Sequence, residues 1–225
     1  MIRFKNVSKR FIKKIEVLRN VSFEIVDKEF VFLVGPSGVG KTTIMRLILR
    51  DILPTEGEIF IDDFDLKKLR PGQIPLLRRR LGVVFQDFKV LFERTVFENV
   101  AVVLEILGKG KGDIEKEVRE ALSAVDILDK ENYFPLQLSA GELQRLSIAR
   151  AIVGDPSIIL ADEPTGNLDP ATGWGILKLL KDINKAGKTV LMATHNVDVV
   201  NSMRKRVIAI DKGKIVKDEK EGRYA

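Results

Sequence analysis

The chain contains no cysteine, which excludes disulfides, thiolate metal sites and cysteine nucleophiles. Histidine occurs once, at His195. A lone histidine is more often structural than catalytic, so only its placement can argue for a role. No stretch reaches the ~18 consecutive apolar residues of a transmembrane helix. The opening "MIRFKNVSKRF" lacks the apolar segment of a secretory signal, so neither a membrane span nor a signal peptide is expected. Low-complexity segments and internal repeats are also missing. Neither charge sign dominates. The 38 basic and 32 acidic residues leave a net +6, which suits an anionic ligand, an anionic membrane surface or nucleic acid without choosing among them.

What is present is a chain of 225 residues with 45% apolar content, enough for one large domain with two lobes. Short strands are expected at "IRFKNV", "VSFEI" and "FVFLVG", and a helix at "KTTIMRLILR". "EGEIFIDD" reads as an edge strand and "LGVVFQ" as a second buried strand. From about Thr95 to Val153 the pattern turns helical, with "GKGKG" at 108–112 as a loop. Two more buried strands follow, "SIILAD" and "TVLMAT", with a crossover helix in "GWGILKLLKDINKAG" between them. "RVIAIDKGKIVKDE" reads as a hairpin turning at Asp211-Lys212-Gly213. Strand–helix alternation implies an α/β fold with a parallel sheet, and the helical block implies an inserted lobe. The expected boundaries are a catalytic lobe at 1–87 and 157–225 and a helical lobe at 88–156.

Four buried strands release into polar residues at their carboxyl ends: Gly35, Gln86, Asp162 and Thr194–His195. Ligands of parallel sheets bind outside such ends. "GPSGVGKT", Gly35 to Thr42, matches the phosphate-loop pattern G-x-x-x-x-G-K-[ST] between a strand and a helix. Gly35, Ser37, Gly38, Val39 and Gly40 can wrap phosphates with backbone N–H groups. Lys41 would reach the β/γ oxygens, Thr42 would hold Mg²⁺, and Thr43 would add a helix-start contact. In "SIILADEP", Asp162 is placed to hold the metal's water shell, and Glu163 to orient and deprotonate an attacking water. His195, at a strand's carboxyl end, could meet the γ-phosphate and that water. Gln86 is a further Mg²⁺ or water contact. Phe11 could stack on adenine, or serve as a core or hairpin aromatic.

A second anion-seeking helix start lies far downstream, in "LQLSAGELQRLSIARA". Ser139 and Glu142 there form a capping box. The small pair Ala140–Gly141 would in addition let a phosphate approach. Two copies related by a two-fold axis would place each Ser139 helix over the γ-phosphate bound by the other's Lys41.

With these motifs in this order, the chain resembles the nucleotide-binding subunits of ABC ATPases over essentially its whole length. The resemblance implies a P-loop NTPase with a RecA-like parallel-sheet core, an N-terminal antiparallel β subdomain and an inserted α-helical subdomain. It implies ATP and Mg²⁺ as cofactors and an ATP-dependent homodimer. It assigns Phe11 as the adenine-stacking aromatic, Gln86 to the Q-loop, and Ser139, Ala140, Gly141 and Glu142 to the signature. Asp162 and Glu163 form the Walker B end, "NLDP" with Asp169 the D-loop, and His195 the switch. Ala140 departs from the usual glycine and puts the strength of γ-phosphate closure in question. "ADEPTGNLD" and "IPLLRRRLGVVFQDFKVLFERTVFENVA" are similar to the subgroup that moves an FtsX-like integral membrane protein in bacterial cell division. That subgroup acts indirectly on cell-wall hydrolases, from the cytoplasmic face of the membrane. Lipoprotein-releasing and macrolide-export ATPases are the alternative. No nucleic-acid partner is expected.

Overall fold

The computed structural model describes residues 1–11 and 15–224. Residues 12–14, including two lysines of the basic setting around Phe11, lie outside the described residues, as does residue 225. In chain order the elements begin with β1 (Ile2–Arg10), β2 (Glu16–Ile25), β3 (Phe30–Val34), α1 (Lys41–Ile48), β4 (Glu56–Ile61), β5 (Phe64–Asp65) and α2 (Ile74–Arg78). Then come β6 (Leu81–Val84), α3 (Val96–Ile106), α4 (Lys111–Ala124), α5 (Ala140–Ile152), β7 (Ile158–Asp162) and α6 (Pro170–Lys185). The chain closes with β8 (Thr189–Thr194), α7 (Val197–Met203), β9 (Arg206–Asp211) and β10 (Lys214–Glu219). Two compact units result, one from residues 1–78 with 187 onward, the other from residues 79–186.

In the first unit every residue of β3 and of β8 is buried. Strands covered on both faces read as unbroken apolar runs, as "FVFLV" does. β3 runs parallel to β8 and to β9, and β10 returns antiparallel to β9. The hairpin turn falls where expected: Asp211 pairs with Lys214, with Lys212 at φ 45° and Gly213 at φ 75°. Two consecutive left-handed residues make the type I′ turn that matches strand twist. The Gly213 carbonyl accepts from Arg19 N–H at 2.8 Å, tying the turn to β2.

The same unit holds an antiparallel sheet in the order β2-β1-β4-β5. Phe4 and Phe23, cross-strand partners on β1 and β2, stack at 4.5 Å between centroids. Such a pair contributes about 0.5–1.5 kcal/mol beyond its buried area. The edge-strand expectation for "EGEIFIDD" is corrected here. β4 pairs with β1 on one side and with the two-residue β5 on the other, and so lies inside the sheet. β5 is too short to carry a periodicity, which is why the sequence concealed it.

In the second unit β6 and β7 pair in parallel. A Cβ added at Gly82 of β6 would lie 2.2 Å from the Ala151 carbonyl, so α5 packs directly on the strand's backbone. α3 starts at a capping box in which the Thr95 hydroxyl accepts from Glu98 N–H and Glu98 accepts from Thr95 N–H. The "GKGKG" loop is shorter than expected, because α4 already begins at Lys111. Two further helices were not expected. α2 has five residues with a proline among them, and α7 is a seven-residue helix rich in valine. Neither is long enough to show a helical period. Among the described residues no helix is long and apolar enough to cross a membrane.

Candidate nucleotide site

The phosphate loop belongs to the first unit, and its geometry follows from three glycines. Gly35 sits at φ 149°, and a Cβ there would lie 2.3 Å from the Ile210 carbonyl of β9. Gly40 sits at φ 116°, with its missing Cβ 2.7 Å from Leu18 of β2. Gly38 differs. At φ 77° it has nothing within 4 Å of the added atom, so conformation alone demands glycine. Val39 is half-buried between Gly38 and Gly40, and Ser37 is exposed.

Gly40 leads into α1, whose first turn has no acidic residue and no side-chain cap. The start of an uncapped helix presents donors to an anion. Lys41, its first residue, is 6% exposed. The Nζ donates to the carbonyls of Gly35 at 2.7 Å and Pro36 at 3.1 Å. Those bonds hold a charge that burial alone would make costly, and they keep the ammonium folded over its own loop. Thr42 is exposed and Thr43 half-buried.

Val34 of β3 is the register partner of Thr194 of β8. Gly35 and His195 are therefore each the first residue beyond a paired strand end. The Thr194 hydroxyl accepts from Asn196 N–H at 3.1 Å, and Asn196 Oδ1 caps α7 by accepting from Val199 N–H at 3.1 Å. This backbone turn leaves His195 on the surface. Phe11 is 38% exposed beyond the end of β1, with Lys9 Nζ 5.1 Å from its ring centroid.

The second unit carries the remaining residues. Val84 pairs with Ala161, so Gln86 and Asp162 leave adjacent parallel strands at the same end. Asp162 ends β7 and Glu163 follows at φ 48°. A left-handed conformation outside glycine costs about 1–2 kcal/mol and is concentrated at functional positions. Glu163 O accepts from Gly166 N–H at 3.0 Å, closing the turn. A Cβ at Gly166 would come 3.0 Å from Gln86 Nε2, so this glycine makes room for the Gln86 amide. Gln86 and Asn167 bond reciprocally. Gln86 Nε2 donates to Asn167 Oδ1 at 3.2 Å, and Asn167 Nδ2 donates to the Gln86 carbonyl at 3.0 Å. Sequence reading passed over Asn167, although it lies inside the D-loop tetrapeptide.

The Ser139 helix start carries the capping box. Glu142 accepts from Ser139 N–H and from its hydroxyl, each at 2.8 Å, while Ser139 Oγ accepts from Glu142 N–H at 3.3 Å. The backbone bond from Ser139, then its hydroxyl, hold the Glu142 carboxyl below the usual range. Ala140 is exposed. Gly141 has a packing reason of its own: a Cβ there would lie 2.5 Å from the Thr172 methyl of α6. Thr172 N–H in turn donates to Asp169 Oδ1 at 3.0 Å, the cap of α6. The Thr172 side chain, and after it that backbone bond, lower the Asp169 pKa. Thr172 thus joins the Asp169 turn to the signature, and nothing in its spacing announced it.

Among the described residues no group of three or more histidine, cysteine or acidic side chains could hold a metal. Thr42 in the first unit, and Gln86 and Asp162 in the second, each carry oxygen donors of the kind Mg²⁺ takes together with phosphate and water.

Comparison with known proteins supplies the family. The ABC transporter family matches residues 18–166. The "Cell division ATP-binding protein FtsE" of Bacillus subtilis is 51% identical over 224 residues, 100% of this chain and 98% of that protein. The protein of the same name from Streptococcus pneumoniae is 46% identical over 224 residues, 100% of this chain and 97% of that one. The solved dimeric ATP-binding cassette MJ0796, in a post-hydrolysis state bound to ADP and Pi, superposes with a TM-score of 0.88 at 37% identity, covering 100% of both chains. With the phosphate loop, the Gln86 strand end and the Ser139 helix start all inside a match of this length, the chain belongs to the ABC transporter family, in its FtsE branch.

Proposed function

We propose that this chain binds and hydrolyses ATP, pairs with a second copy around two nucleotides, and drives conformational change in an FtsX-like membrane protein during bacterial cell division. The observation that carries the ATPase reading is the phosphate loop. Two of its glycines are fixed by both crowding and backbone conformation, and a buried lysine is held over the loop's own carbonyls. The phosphates would take over the Lys41 ammonium and accept from the backbone N–H groups at the start of α1. Phe11 would offer its exposed ring to adenine.

Mg²⁺ would be held by Thr42, by Gln86 Oε1 (the amide nitrogen being engaged by Asn167) and, through water, by Asp162. When bound, it neutralises charge on the phosphates. Glu163 takes the proton of the attacking water, and His195 steadies that water and the terminal phosphate. Ser139, Ala140, Gly141 and Glu142, with Asp169, complete the site of the partner copy. The protein would then sit at the cytoplasmic face of the membrane through its partner, with cell-wall hydrolases on the far side.

The test is ATP turnover of the purified chain, with and without the membrane protein encoded beside it. Turnover that requires Glu163, together with co-purification of a four-span FtsX-like protein, is the expected result. Co-purification of a lipoprotein-releasing or macrolide-export permease instead would overturn the cell-division assignment while leaving the ATPase intact.

A further inference from the structure

The five residues from Phe85 to Lys89 carry the Gln86 amide, and their backbone is held in an unusual way. Phe88 at φ 58° and Lys89 at φ 53° are consecutive left-handed residues, neither of them glycine. Such a backbone persists only where its surroundings hold it. Three of the segment's carbonyls are taken by side chains from elsewhere in the second unit. Gln144 Nε2 donates to Phe85 O at 3.4 Å, Asn167 Nδ2 donates to Gln86 O at 3.0 Å, and Arg150 Nη1 donates to Lys89 O. Gln144 and Arg150 both stand on α5, the helix that Ser139 opens.

These two side chains are poorly satisfied. Gln144 is fully buried, its bond to Phe85 is long, and its Oε1 accepts from nothing. Arg150 Nε is buried and donates to nothing. Burial also holds the Arg150 pKa below its ordinary value. A buried amide oxygen and a buried guanidinium Nε left unpaired are costly, and apolar residues of the same length would avoid the cost. A core with no task for them would hold leucine or methionine. Their one shared feature is a grip on the two ends of the Gln86 segment.

We infer that Gln144 and Arg150 are positioning residues that tie the Gln86 segment to the signature helix, so that a displacement of Gln86 moves α5 and the Ser139 turn. Their unspent donor and acceptor make a second setting of the segment accessible, in which Gln144 Oε1 and Arg150 Nε gain the partners they now lack. The inference deepens the ATPase reading above and rests on it for its consequence in turnover. The clamp itself, read from the bonds to Phe85 O, Gln86 O and Lys89 O, does not depend on that reading.

The test compares wild type with Gln144→Met and Arg150→Met, which keep side-chain length and remove the donors. Amide hydrogen exchange is read over 85–89 without nucleotide, and ATP affinity and kcat with it. The expected result is faster exchange over 85–89 with β7 amides unchanged, kcat lower by about tenfold or more, and ATP affinity within about twofold, because the loss is one of positioning and not of phosphate contacts. An equal or higher melting temperature for Gln144→Met would separate this outcome from a folding defect. Unchanged exchange over 85–89 in both variants would overturn the clamp. Faster exchange with unchanged kcat in an active enzyme would overturn the coupling. Wild-type protein without turnover would sink the ATPase reading instead, while exchange over 85–89 still decides the clamp.

Discussion

The Thr172 methyl fills the space a side chain at Gly141 would need, 2.5 Å from where that Cβ would stand. Thr172 is at the same time the residue whose N–H satisfies Asp169. The smallness of Gly141 is thus explained inside one protomer, by the packing of α5 on α6. Gly141→Ala should destabilise by about 1–3 kcal/mol, the usual cost of overpacking. Thr172→Ser removes the offending methyl and should restore most of the melting temperature in the double variant. ATP turnover of that double variant then tells packing from ligand approach. Recovered stability with lost turnover means the partner's phosphate also needs the space that the Cβ of Gly141→Ala fills.

How much of this was legible beforehand depended on the kind of signal. Unbroken apolar strands such as "FVFLV" and "TVLMAT" announced the parallel sheet, and the polar residues just past them announced the phosphate loop, Asp162 and His195. Ser139 and Glu142 were readable as a capping box because that signature is local. Contacts made across the fold left no periodic trace. Thr172 against Gly141, Asn167 against Gln86, and Gln144 and Arg150 on the carbonyls of Phe85 and Lys89 depend on which helix packs where. β4 was misplaced at an edge because the strand that covers it, β5, is only two residues long.

Lys41 is buried and held by two carbonyls of its own loop. Lys41→Met keeps the length and removes the charge; the Gly35 carbonyl, whose bond is buried, loses its donor at a cost of about 1–3 kcal/mol, which a melting curve checks. Charge-assisted bonds to phosphate contribute about 1.5–3 kcal/mol each, so ATP affinity should fall by roughly 10–100-fold or more. Equilibrium binding of a fluorescent ATP analogue measures it. Wild-type affinity in a folded Lys41→Met protein would remove the lysine from the site.

The Glu142 carboxyl titrates below its ordinary value because the Ser139 backbone N–H and hydroxyl bond its charged form. In the folded protein it therefore binds fewer protons than in the unfolded chain near pH 4. Stability from this group is fully present above the ordinary glutamate value and is lost as pH falls through the depressed one. The carboxyl is largely solvated, so the effect is small. Glu142→Gln should flatten the acid limb of stability between about pH 5 and pH 3 and leave the plateau near neutral pH slightly lower, since an uncharged cap is weaker. Urea denaturation at stepped pH measures both. An acid limb identical to that of wild type would mean the box is not formed in solution.

Glu163 separates binding from chemistry. Its left-handed backbone is set by the turn that Gly166 closes, not by the charge of the side chain. Glu163→Gln should therefore keep the turn, the neighbouring Asp162 and nucleotide affinity. An amide cannot take a proton from water, so turnover should fall by about 10²–10⁴-fold, the usual size of a general-base contribution. ATP that binds without being consumed holds two copies together for as long as each completes the other's pocket. The variant should then elute from a sizing column as a dimer with ATP and as a monomer with ADP. Loss of turnover with elution as a monomer in ATP would keep Glu163 as the base and deny the shared pocket. A dimer with undiminished turnover would do the reverse, and would move the proton acceptor to His195, whose replacement by alanine becomes the deciding measurement.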